Sequence, residues 1–138
     1  MKESVNVKWI EGMAFEVDVK GYKMMIDSDP EHGGKGKGPK PKPFMMVALA
    51  GCTGMDVVSL LNKMRVGYDE FDIFVEGELS EDHPKRFLKM TVTFKLKGSH
   101  IDRQKVERAI ELSKEKYCGV SVSYREVMEL EYHLEIEE

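Results

Sequence analysis

The sequence predicts an α+β fold with the order βββ-α-ββ-α-β, and three observations carry that reading. Several short segments alternate apolar and polar residues, as half-buried strands do. Two longer segments carry helical start signals. The strands stand in groups on either side of the helices instead of alternating with them one by one, which separates α+β from α/β.

The first group opens with residues 5–10 and 13–20, where Val5, Val7 and Trp9, then Met13, Phe15, Val17 and Val19, fall on one face. Glu11-Gly12 between them reads as a tight turn, so the two form a hairpin. A third strand over 22–27 follows the Lys20-Gly21 turn and stops at Asp29-Pro30. Residues 32–43 mix glycine, proline and lysine in a way that neither a helix nor a central strand tolerates, and they read as a loop. Its glycines and lysines lack the G-x-x-x-x-G-K-[ST] spacing of a phosphate loop, and no strand feeds directly into it.

A helix is expected over 44–65, with Pro43 at or just before its first turn, where the missing N–H costs nothing. Its apolar residues, among them Phe44, Met46, Leu49, Val57, Leu61 and Met64, cover most of the circumference. Burial nearly all round, with a partner subunit covering part of the surface, is the expectation. Next come two strands joined by the polar loop 80–86. Phe71, Ile73 and Val75 share one face; Leu88, Met90, Val92, Phe94 and Leu96 alternate with lysines and threonines. Asp102 caps an amphipathic second helix that reaches Lys116, with Ile101 and Val106 placed as a hydrophobic staple. The final strand alternates Met128, Leu130, Tyr132, Leu134 and Ile136 with Glu129, Glu131, His133 and Glu135, giving one acidic, solvated face.

A chain of 138 residues can bury a core of its own and reads as a single domain over 1–138. The net charge of −4 supplies no field that would draw nucleic acid or anionic lipid, so neither is an expected partner. Met1-Lys2-Glu3-Ser4 carries no apolar signal core, and the apolar run 44–52 is too short to span a bilayer. The expected location is the cytoplasm. There, two cysteines are unsuited to a purely structural bridge, and any pairing between them is chemistry.

Cys52 stands in Ala50-Gly51-Cys52-Thr53-Gly54, where two glycines interrupt a good helix at about 1 kcal/mol each relative to alanine. Bare backbone beside the thiol admits a substrate or another chain. The plain alternative is that Cys52 is a small buried hydrophobe and that Cys118 fills a gap beside Tyr117. If a new helical turn begins at Cys118, its dipole favours thiolate. Asp56 reads as a hydrogen-bonding or capping group, not a general base. The four histidines lie in loops or on a solvated strand, with no C-x-x-C or H-x-x-x-H spacing, so neither a metal nor a cofactor is expected. No Gly-x-Ser-x-Gly elbow or Ser-x-x-Lys pair points to hydrolysis.

The run Val47-Ala48-Leu49-Ala50-Gly51-Cys52-Thr53-Gly54-Met55-Asp56-Val57-Val58-Ser59-Leu60-Leu61 closely resembles the first-cysteine helix of the OsmC/Ohr group (osmotically inducible protein C and organic hydroperoxide resistance proteins). Glu115-Lys116-Tyr117-Cys118-Gly119-Val120-Ser121 is similar to the group's second-cysteine segment, and the order of elements matches along essentially the whole chain. The likeness lies nearer the OsmC-like branch. It implies an intertwined homodimer with active sites at the subunit interface and a catalytic pair, Cys52 as peroxidatic and Cys118 as resolving cysteine. It also implies an organic hydroperoxide as substrate and an external dithiol, lipoyl-type in the Ohr branch, as reductant. Peroxidatic members carry an arginine after the first turn and a glutamate near the start of the cysteine helix; the corresponding residues here are Ala14 and Pro43. Lys23, Lys42, Arg65 and Arg125 are the cations left to take the arginine's place. A protein of the same fold that binds a small molecule or senses thiol redox state, with little peroxidase activity, is the alternative reading.

Overall fold

The computed structural model describes all 138 residues and has three helices and two three-stranded sheets, the α+β architecture expected. Chain contacts divide it into two compact units, Met1–Met45 and Met46–Glu138.

In the first unit, β1 (Asn6–Glu11), β2 (Ala14–Val19) and β3 (Tyr22–Ile26) form an antiparallel meander in that order. The first turn sits at Gly12-Met13, one residue later than the sequence indicates, because the register shifts between Trp9 and Glu11 and pairs Glu11 with Ala14. Gly12 takes a positive φ there, and its carbonyl accepts the Trp9 indole N–H at 2.8 Å. The glycine and proline loop that follows is tied down by one carboxylate. Asp27, nearly fully buried, accepts the backbone N–H groups of Ser28, Lys35 and Lys37 at 2.7, 3.2 and 3.1 Å. Those bonds, led by that from Ser28, hold its carboxyl below the usual carboxylate range.

The second unit holds the apolar core. Its sheet runs β4 (Glu70–Leu79), β5 (Phe87–Lys97), β6 (Glu129–Glu137), antiparallel between the first two and parallel between the last two. As the central strand, β5 is covered on one face, and Met90, Val92, Phe94 and Leu96 are buried. Phe94 stacks between Phe71 and Tyr132, with both ring centroids at 6.3 Å. At the start of β5 the sequence reading is corrected: Leu88 is exposed and Phe87 is buried in its stead. The register shift between Glu78 and Leu79 pairs Leu79 with Phe87 and skips Leu88, so that Phe87 takes the inward place. On the outer face, Lys89, Lys95 and Lys97 of β5 stand between acidic residues of β4 and β6, with ion pairs such as Lys89–Glu131 at 3.4 Å.

Helix α1 (Pro43–Lys63) begins on its proline, as expected. It is long and apolar enough to cross a membrane by length and composition, which the shorter apolar run in the sequence does not reveal. It is nonetheless a core helix, because Leu49, Val57 and Leu61 join the same buried cluster as β5 and the second helix. Burying side chains of this size contributes about 1.5–3 kcal/mol each. The expectation of burial all round is not met in the single chain: one stripe is covered, while Val47 and Met55 are exposed. Gly54 lies on the covered side, where a Cβ would stand 2.6 Å from Ile73 Cδ1; Gly51 has nothing near it.

The second predicted helix ends as an α-helix four residues before Lys116, and a further short helix that the sequence reading lacked follows it. Helix α2 (Arg103–Leu112), capped by Asp102, gives way to a π turn at Ser113–Tyr117, and α3 (Gly119–Arg125) follows. Seven residues of α3 are too few to declare a helix by periodicity.

Candidate functional site: a cysteine pair between two helices

The break between α2 and α3 decides where Cys118 lies. At the end of the π turn its backbone turns extended (φ −85°, ψ 99°), which makes it the N-cap of α3. Its Sγ accepts the Ser121 N–H at 3.3 Å, while Ser121 Oγ donates to the Cys118 carbonyl at 3.0 Å. Both residues are fully buried. Sulfur therefore fills the role that serine or aspartate plays at an ordinary helix start. A helical turn thus does begin at Cys118, the condition under which the sequence reading favoured a thiolate there.

Cys52 comes from the middle of α1 and is only partly covered. Asp56, four residues on, lies one turn along the same face. The fold brings these segments together: Cys52 Sγ, Cys118 Sγ and an Asp56 carboxylate oxygen all lie within 4.8 Å of one another. Both cysteines are free thiols.

Burial pushes the Cys52 thiol up from its ordinary value, and its hydrogen bond to Cys118 acts in the same direction. The Val120 backbone N–H pulls it back, and the Asp56 charge adds a small further rise.

Asp56 is fixed from behind. Ser113 Oγ donates to its Oδ2 at 2.9 Å, and the same hydroxyl lies 3.1 Å from Thr53 Oγ1. Ser113 and Thr53 are buried, so this short network joins α1 to the end of α2 immediately beside the thiols. The sequence reading of Asp56 as a hydrogen-bonding residue holds; it missed Ser113, whose only signal is a small polar residue on the packed face of an amphipathic helix.

The residues in the places of the usual arginine and glutamate are a buried alanine at the start of β2 and the first residue of α1. Of the four cations considered as substitutes, Arg125 is engaged elsewhere: it donates to the Lys114 carbonyl at 3.2 Å and pairs with Glu115 at 3.9 Å. Arg65 takes a positive φ just beyond α1, and Lys23 faces Glu16 at 3.8 Å. Lys42 precedes α1, its carbonyl accepting the Met45 N–H. The charged side chain that completes the cysteine cluster is an anion, Asp56.

Comparison with known proteins gives the family and the fold. The model of the family described as OsmC-like protein matches residues 34–133. Protein YhfA of Escherichia coli K12 is 30% identical over 131 residues, 94% of this chain and 95% of its own. Among solved structures, a hypothetical protein from Aquifex aeolicus VF5 superposes with a TM-score of 0.87 at 24% identity, covering 100% of this chain and 98% of that one. An OsmC-like protein from Mycoplasma pneumoniae gives 0.84 at 11%, covering 100% and 99%. An organic hydroperoxide resistance protein from Legionella pneumophila gives 0.69 at 16%, covering 98% and 97%. The fold thus stands nearer the OsmC-like structures than the organic hydroperoxide resistance ones.

Proposed function

Because this chain belongs to the OsmC-like protein family, we propose that it reduces organic hydroperoxides with Cys52 and Cys118 as a redox pair. The observation that carries this reading is the meeting of a partly exposed sulfur and a buried one beside each other, each from a separate helix segment. The Cys52 thiolate attacks the distal peroxide oxygen, the O–O bond breaks, and the alkoxide leaves as alcohol after taking a proton. Cys52 is left as sulfenic acid. The Cys118 thiol then displaces its hydroxyl as water and forms the disulfide, and an external dithiol, lipoyl-type, returns both sulfurs to thiols through exchange. The sulfurs must close to about 2.05 Å for the second step.

A homodimer acting as one domain per chain fits the same reading. The apolar side chains left exposed on β1 and α1, Val7, Trp9, Val47 and Met55 among them, are the kind of surface that a second copy covers. Two free thiols suit the reducing cytoplasm.

A second reading has its own support. Ala14 stands where peroxidatic members have arginine, and an anion lies beside the thiols, so the pair can serve as a slow thiol–disulfide sensor instead. Steady-state kinetics with an alkyl hydroperoxide and a reduced lipoyl dithiol distinguish the two. Saturable turnover lost in Cys52→Ser is the expected result; consumption no faster than that of a free thiol favours the sensor.

A further inference from the structure

The same three side chains form a donor set that the sequence does not disclose, since Cys118 reaches it only through the break between α2 and α3. We propose that in the reduced protein Cys52, Cys118 and Asp56 bind one thiophilic divalent cation of the zinc class. Two thiolates and a carboxylate are ligands that such an ion accepts, and three protein ligands with a fourth position left for water is a familiar arrangement for zinc.

The geometry is close to what the ion requires. Metal–ligand bonds of about 2.0–2.3 Å place the ligand atoms of a tetrahedron roughly 3.3–3.8 Å apart. Here the three atoms already lie within 4.8 Å of one another, so shifts on the order of an ångström gather them. The surroundings are also those of a metal site. Ser113 Oγ donates to Asp56 Oδ2, an outer-shell bond of the kind that orients ligating carboxylates. Each sulfur accepts a backbone N–H, Cys118 from Ser121 and Cys52 from Val120, which suits charged thiolates held by an ion. The partial exposure of Cys52 leaves an entry path. Occupancy would withdraw the Cys52 sulfur from hydroperoxides, giving the reduced protein a metal-dependent resting form.

The proposal concerns the reduced protein without peroxide, so it stands or falls separately from the peroxidase reading. Metal-free, fully reduced protein is titrated with Co²⁺ and then with Zn²⁺. The expected result is one ion per chain, a thiolate-to-cobalt charge-transfer band, displacement of cobalt by zinc, and protection of both thiols from alkylation by bound zinc. Cys52→Ser and Asp56→Asn should each weaken zinc binding, by about a hundredfold for the thiol ligand and about tenfold for the carboxylate. Ser113→Ala, which removes no ligand, should weaken it by about tenfold. Asp56→Asn and Ser113→Ala also serve if a cysteine variant fails to fold, since both keep the two thiols. Binding no tighter in the parent than in Cys52→Ser, protection of one thiol alone, or undiminished affinity in Asp56→Asn overturns the three-ligand site.

Discussion

The middle of α1 and the break between α2 and α3 each deliver one sulfur to the same place, by opposite structural means. Cys52 is one residue in a continuous helix, flanked by glycines, partly open and backed by a hydrogen-bonded carboxylate. Cys118 owes its position to an interruption, a π turn that ends the helix and starts another, and it is buried with its sulfur capping the new helix. An accessible thiol can meet a substrate; a buried and backbone-anchored one is better placed to meet its neighbour. The difference supports the proposed roles, attack by Cys52 and resolution by Cys118, and it can be tested by perturbing the two regions separately.

The largest effect belongs to the open sulfur. Cys52→Ser should reduce hydroperoxide consumption by at least about a thousandfold, to the level of buffer, while the fold persists. Retention of activity would transfer the first step to Cys118. Next in size is a dependence on pH. Burial raises the Cys52 pKa, so the thiolate is scarce near neutrality and its fraction grows with pH. Alkylation of Cys52 should therefore speed up by about tenfold per pH unit from neutral pH and go on rising beyond the range of an ordinary thiol. A plateau below pH 8 in stopped-flow alkylation would contradict that environment.

Smaller effects probe the network that joins the two regions. Ser113→Ala leaves Thr53 and Asp56 without their shared partner in a buried position, and it should cost about 1–3 kcal/mol in denaturant unfolding. A loss no greater than that of a surface serine would show that the bridge contributes little. Asp56→Asn should accelerate Cys52 alkylation by about threefold at neutral pH, because the Asp56 charge is the least of the influences that raise the thiol. Slower alkylation would mean that the carboxylate assists deprotonation.

Much of the fold was legible because its signals are local. Alternation placed five strands and flanking turns the third, and Pro43 and Asp102 marked two helix starts that the structure keeps. What escaped depends on partners distant in sequence. Leu88 continues the apolar alternation of β5, yet the irregular pairing of Leu79 with Phe87 reverses the side chains there. The run from Asp102 to Lys116 looks like one helix, yet it gives way to a π turn at Ser113, the residue whose hydroxyl lies 3.1 Å from that of Thr53 on α1. At the site, both cysteines and Asp56 stood out individually, whereas their convergence, and Ser113 behind them, belong to the tertiary fold.

The central claim, that Cys52 and Cys118 are redox partners, meets its most direct test in a single turnover. Reduced protein, freed of metal by a chelator, is mixed with one equivalent of an alkyl hydroperoxide, and its intact mass and thiols are followed. The account predicts loss of two hydrogens and both thiols per hydroperoxide, with a Cys52–Cys118 disulfide in the digest. Persistence of both thiols after the hydroperoxide has been offered would contradict it.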